Sequence, residues 1–246
     1  MGEVDVRAAM AWAGRVVAAA CLLALGACQS APTPQPRELS TASPYPDVWT
    51  YGVAPAQNLS GSTTVDVLKV SDTLFSELQQ VQGLQVLPVN KTLRVMEKLG
   101  LRQIDSAATA QRVAAALGVD ALVVPVITQY DPYRPPVVGM VLQLYTPPAV
   151  AASEPIARQI TGEALDMPEE PAGPARQPVS QVEAVFNASN QSVLRELHMF
   201  ALGRTDRESA LAEDRYLVDQ DAYLRFVAHV MVGRLMEVEQ VRLTDR

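Results

Sequence analysis

Cysteine is almost missing from this chain. Two occur in 246 residues, Cys21 and Cys28, both near the start. Beyond residue 28 the sequence offers no disulfide, no thiol nucleophile and no thiolate metal site. Histidine is as scarce. His198 and His229 are the two, with no shared spacing and no His-Glu-x-x-His pattern. A Gly-x-Ser-x-Gly elbow, a phosphate-cradling glycine loop and a dinucleotide fingerprint are all absent. So is a basic excess. The formal charge is -7, which argues against nucleic acid as a partner, since phosphate backbones reward basic patches. No apolar run reaches the ~20 residues that a spanning helix needs. These gaps point away from an enzyme, from metals and from cofactors.

What is present starts with the apolar run from Val16 to Leu25, preceded by Arg7 and Arg15. A positive flank, a short apolar stretch and small residues at its end make a signal peptide. Glu3 and Asp5 fit the positive flank poorly, and Met10 offers a cleaner start, so translation from Met1 or from Met10 stays open. The run closes on Leu25-Gly26-Ala27-Cys28, which resembles the lipobox of bacterial lipoprotein signal peptides. That resemblance implies that Leu25, Gly26 and Ala27 are read by the signal peptidase, that cleavage falls before Cys28, and that Cys28 carries covalent lipid. The alternative is an ordinary secretory signal with a chance cysteine. Two acyl chains suffice for stable anchoring, so a lipidated Cys28 implies the lipid bilayer as a partner. In enterobacterial lipoproteins an Asp after the cysteine retains the protein at the inner membrane. Gln29 stands there instead, which implies the outer membrane, with the domain in the periplasm.

Residues 28–47 carry Pro32, Pro34, Pro36, Pro44 and Pro46 among Ser, Thr and Gln, and read as a flexible tether. Stretched out, such a segment spans ~40–60 Å. The domain is expected at 48–240. A strand over 48–54 comes first, then a loop at 58–62 and a helix over 64–80. Val67, Val70, Leu74 and Leu78 recur there at 3–4-residue spacing. A short strand at 84–87 precedes a helix over 91–99 that Asn90 can cap. Another helix, 107–117, begins at Asp105 or Ser106 and stops at Gly118. The nearly continuous apolar run 121–127 suits a strand buried on both faces. Pro125 within it cannot donate to a ladder, which predicts an edge side or a bulge.

Residues 130–136 read as a stiff loop, 138–145 as the returning strand. A Pro-rich insertion, expected to be disordered, covers about 147–179, with a helical turn near 156–165. Residues 181–186 alternate as a strand, and 187–190 turn. Residues 192–203 fit either a strand or a helix. A helix over 219–239 closes the chain, with Tyr223, Phe226, Val227, Val230 and Met231 as its apolar stripe. The fold class is α/β: a single domain with a mixed sheet and helices packed on it.

Several strings resemble a group of bacterial envelope lipoproteins. They are Tyr51-Gly52-Val53-Ala54-Pro55, Asn58-Leu59-Ser60, Leu84–Pro88, Ala114–Val124, Tyr130-Asp131-Pro132 and Gly139–Tyr145. The group is similar in fold to the amino-terminal domain of TolB, the lipoprotein activators of penicillin-binding proteins and the curli-secretion lipoprotein. The resemblance covers about 48–145 and, more loosely, 181–240. It implies a non-catalytic role in cell-envelope assembly, maintenance or transport, exerted on an unidentified envelope protein. A structural subunit of an oligomeric envelope or secretion complex is the alternative, and a periplasmic hydrolase a weaker one. The resemblance leaves the oligomeric state unknown. A pore requires alternating membrane strands of ~9–11 residues, which the insertion lacks.

The candidate partner contact is the loop bearing Tyr130, Tyr133 and Arg134. Tyr and Arg are enriched at binding hot spots, and a proline-stiffened loop loses little entropy on docking. The competing reading is a plain hairpin connection whose tyrosines cover the sheet edge. Trp49 reads as a core or edge plug, His229 as partly buried on its helix, and Met231 and Met236 as core. The acid pairs Glu169-Glu170 and Glu213-Asp214 read as solvated charge.

Overall fold

The computed structural model describes residues 41–147, 177–202, 204 and 211–245. Leu25, Gly26, Ala27, Cys28, the tether as far as residue 40, the acids Glu169 and Glu170, and most of the 147–179 insertion lie outside the described residues. In chain order the elements are β1 (Trp49–Val53), β2 (Gln57–Asn58), α1 (Val67–Leu78), β3 (Leu84–Leu87), α2 (Val89–Lys98), α3 (Ala107–Leu117) and β4 (Ala121–Asp131). There follow β5 (Val137–Tyr145), β6 (Ser180–Asn187), α4 (Gln191–Ala201), a 3-10 turn (Ala212–Asp214), α5 (Arg215–Val218) and α6 (Gln220–Thr244).

The strands make one mixed sheet in the order β3-β1-β4-β5-β6, with the short β2 also pairing with β4. β3, β1 and β4 are parallel; β4, β5 and β6 are antiparallel. The α/β architecture read from the sequence is therefore the one the chain forms. Alternation along the strands sorts the core onto two faces. Tyr51, Val53, Val123, Ile127, Met140, Leu142 and Phe186 pack on one side with α1, α4 and α6. Ala54, Leu122, Val124 and Tyr145 pack on the other with Met96 of α2 and Ala110, Val113 and Ala114 of α3.

Local chemistry sets the helix ends. The Asp66 carboxylate accepts from the Leu68 and Lys69 amides at 3.1 and 3.0 Å and starts α1. Ser106 accepts from the Thr109 amide at 3.2 Å and starts α3. Gly118 ends α3 at φ +64°, a left-handed conformation that a side chain would strain. The helix expected over 91–99, with Asn90 as its cap, begins earlier. Pro88 occupies its N-cap, and the helix runs from Val89. Proline's fixed φ and missing donor suit a helix start, and no side chain caps this helix.

Pro125 gives a cleaner lesson. It lies in the middle of β4, not at an edge, and the bulge in β4 falls later, between Ile127 and Gln129. Its tolerance has another cause. β1 pairs with β4 only as far as Val123, and β2 takes over at Val126. Pro125 sits in the gap between the two partners, where no ladder bond asks for its N–H. At the bulge, Gly139 faces Thr128: a Cβ there would come within 2.6 Å of the Thr128 hydroxyl.

Two short elements, β2 and α5, had no pattern strong enough to show in the sequence. The ambiguous stretch is helical over Gln191–Ala201, capped by Asn190, whose side chain accepts from the Ser192 amide at 2.9 Å. The closing helix α6 is buried around most of its circumference between Ala222 and Met236, where Tyr223, Phe226, Met231 and Leu235 are at 0% exposure, while Val238 and Val241 farther on are exposed. A helix hydrophobic on all sides is a core helix. No helix among the described residues is long and apolar enough to cross a membrane.

Candidate interaction surface

The loop between β4 and β5 is shorter than its sequence pattern suggests. β4 continues through Asp131, so Tyr130 belongs to a strand and only residues 132–136 are loop. This divides the three candidate contacts. Tyr130 is half-buried against the main core, and burial pushes its phenol up. Tyr133 stands in solvent at 79% exposure. Its amide donates to the Asp131 carboxylate at 3.0 Å, which holds the turn. The Arg134 guanidinium is exposed and lies 4.0 Å from Asp214 on the 3-10 turn. An exposed pair at that distance contributes little to stability. Tyr133 and Arg134 thus share an open surface, while Tyr130 packs against the core.

The remaining candidates fall elsewhere. Trp49 is partly buried on β1 and stacks on Tyr45, ring centroids 3.7 Å apart. His229 lies on α6, 3.0 Å from the buried carboxylate of Glu77, and packs against the Phe200 ring. His198 is on α4 and meets Glu213 at 2.6 Å in the open. Glu213 and Asp214 are therefore exposed acids that each meet a basic side chain. Met231 and Met236 are core. Among the described residues no three His, Cys, Asp or Glu side chains gather as a metal site would need.

The most connected polar cluster was not foreseen. Glu239 of α6 is completely buried, and its carboxylate binds Arg242 in a two-point pair at 2.7 and 2.6 Å. Ser180 at the start of β6 donates to one carboxylate oxygen and Tyr45 to the other. The Tyr45 hydroxyl also meets that of Tyr51 at 2.6 Å. Burial alone would raise the Glu239 carboxyl. Hydrogen bonds from Arg242, Ser180 and Tyr45 outweigh it and hold the group below its ordinary value. Arg242 is raised in turn by the bond to Glu239. Burial and the neighbouring carboxylate drive both tyrosines well above the ordinary phenol range.

Every acceptor in this cluster is occupied from within the domain, so its chemistry is structural. Tyr45 was hidden because Pro44 and Pro46 flank it and the segment reads as tether. The one available signal was Glu239-x-x-Arg242, an acid–base pair on one helix face.

The cluster and the loop lie at opposite ends of β6. Ser180 binds Glu239, whereas Asn187 is opposite Val137, next to the loop. Eight residues of strand separate them by roughly 24 Å.

No protein-family model and no curated protein matches the chain. Among solved structures, the C-terminal domain of LpoB from Salmonella enterica is 11% identical, with a TM-score of 0.38 over 57% of this chain and 84% of that one. Lipoprotein GNA1162 from Neisseria meningitidis is 13% identical, with a TM-score of 0.38 over 63% of this chain and 96% of that one. PelC from Paraburkholderia phytofirmans, solved as a dodecamer, is 8% identical, with a TM-score of 0.33 over 81% of this chain and 94% of that one. A protein named as a lipoprotein is thus among the structural neighbours of this chain.

Proposed function

We propose that this chain is a lipid-anchored protein of the bacterial periplasm that works without catalysis, by docking an envelope protein. Leu25-Gly26-Ala27-Cys28 carries the anchoring half of the reading. The docking half rests on one observation: Tyr133, a large aromatic side chain, stands at 79% exposure on a proline-bounded turn beside Arg134. Aromatic and Arg side chains on a pre-shaped loop are what binding hot spots use. The chain enters the domain at the Tyr45 end, and the loop sits at the other end of β6. A tether leading to the outer membrane would leave the loop free to face away from the lipid.

Each half has its own test. Cys28→Ala should abolish labelling with a palmitate analogue and release the chain from membranes; labelling retained in that variant would remove the anchor. In-cell crosslinking of the intact chain should capture a distinct envelope protein. Tyr133→Ala and Arg134→Ala should each lose that product while the fold, read by circular dichroism, is unchanged. A product that survives both substitutions would reduce the loop to a hairpin connection.

A further inference from the structure

The two edges of the sheet are finished differently. At β3 the edge is four residues long, and just before it the Thr41 carbonyl and the Ser43 amide bond Gln82 at 3.0 and 2.7 Å. At β6 the edge is eight residues long and pairs only with β5 among the described residues. Natural edges are commonly guarded by proline, by lysine, by a bulge or by brevity. β6 has no proline, no lysine and no bulge along its eight residues, and its one charged side chain is the exposed Glu183. It reads Ser-Gln-Val-Glu-Ala-Val-Phe-Asn and pairs in unbroken register with β5 from Val137↔Asn187 to Leu144↔Ser180.

The register shows which backbone groups face outward. The Ala188 amide donates to the Pro136 carbonyl at 3.0 Å. In an antiparallel ladder bonded pairs alternate with unbonded ones. The even-numbered residues of β6 therefore bond β5, and Gln181, Glu183, Val185 and Asn187 direct their N–H and C=O groups away from it. The side chains of these same four residues are exposed.

We infer that the β6 edge is a self-association surface, pairing antiparallel with β6 of a second copy of this chain about a two-fold axis at Ala184. The pattern of side chains favours that occupant. With Ala184 opposite its own copy, Glu183 faces Val185 of the other chain and Gln181 faces Asn187. No like charges oppose one another. A shift that centred the axis on Glu183 would set two carboxylates face to face, which is unfavourable. A foreign extended peptide is usually read by pockets for alternate side chains. On β6 Val185 lies beside Gly139, and Gln181 accepts from the Gln143 side-chain amide at 3.0 Å. The pairing does not depend on the docking loop or on the lipid.

The register makes the test sharp. An unbonded antiparallel pair has Cα atoms ~4.5 Å apart, inside the range a disulfide accepts. In the full chain, in its membranes, Ala184→Cys should give a covalent dimer under mild oxidation. The parent chain, with Cys21 and Cys28, sets the background. Adding Val185→Pro should remove the dimer, because that residue's N–H points outward and proline at such a position leaves the β5 ladder intact. Glu183→Cys should crosslink far less than Ala184→Cys. Absence of a dimer above background, a dimer unaffected by Val185→Pro, or stronger crosslinking at residue 183 would overturn the inference.

Should Ala184→Cys fail to fold, sedimentation of the unmodified full chain in detergent decides. A mass near twice the monomer's, halved by Val185→Pro, supports the pairing. A monomer, or an oligomer indifferent to Val185→Pro, overturns it. So does a monomer that binds an unrelated extended peptide along β6.

Discussion

On one face of the sheet the buried rings gather. Tyr45, Tyr51, Phe186, Phe200, Tyr216, Tyr223 and Phe226 pack there, together with the Glu239–Arg242 pair. On the other the buried residues are mostly small: Ala54, Ala110, Val113, Ala114, Val119 and Val124, with Tyr145 as the one buried ring. The first face seats the long helix α6, whose middle is buried around most of its circumference; the second packs α3 through alanines. Tight approach leaves no spare volume, whereas a core of large rings and a polar knot depends on each piece being present. The faces should therefore fail in opposite ways, the large one to deletion and the small one to addition.

Removing the centre of the polar knot should have the largest effect. Glu239→Ala leaves Arg242, Tyr45 and Ser180 facing an empty buried space. Breaking a buried ion pair from one side costs about 3–5 kcal/mol. Urea denaturation should show that loss, and a cost under about 1 kcal/mol would mean the pair adds nothing the fold depends on. Leu74→Ala, on α1 at 0% exposure, should cost about 2–5 kcal/mol by the same measurement. The small face is probed by Ala114→Leu, which should cost about 1–3 kcal/mol through overpacking. If it were neutral, α3 would have room to move and the contrast between the faces would collapse. Thr92→Val should have the smallest effect and the opposite sign. The Thr92 hydroxyl is buried without a partner among the described residues, so its removal at constant shape should add about 1 kcal/mol.

The knot also predicts how stability changes with pH. Glu239 is held below its unfolded value. Its contribution is complete above about pH 4.3 and fades as the pH falls through the lower folded value. Tyr45 and Tyr51 are held above theirs. Their contribution is complete below about pH 10 and fades as the pH rises beyond it. The urea midpoint should therefore fall at both extremes. Glu239→Gln should flatten the acid limb, and an acid limb unchanged in that variant would assign it to other carboxylates.

Long, strongly patterned elements were legible in the sequence. Val70, Leu74 and Leu78 announced the buried face of α1, and the apolar run 121–127 announced a central strand. Gly118 announced a helix stop. These signals come from neighbours in the chain and need no knowledge of the tertiary fold. What stayed hidden depends on distant partners. β2 is two residues whose only reason to be extended is β4. Residues 192–203 alternate too loosely to decide between periods until Phe200 meets Phe226. The candidate loop was half legible: proline marked its stiffness, but the pattern could not say that Tyr130 would turn inward while Tyr133 stayed out. Tyr45 was invisible for the same reason, because its partners lie at the far end of the chain.

That junction has a mechanical consequence. Residues 41–45 are fastened to the Gln82 turn and to the last turns of α6 before the chain reaches β1. A pull from the N-terminal side is thus not delivered to β1 as a peeling force. It loads a bracket in which the two ends of the domain grip each other, and β1 feels tension only after that bracket opens.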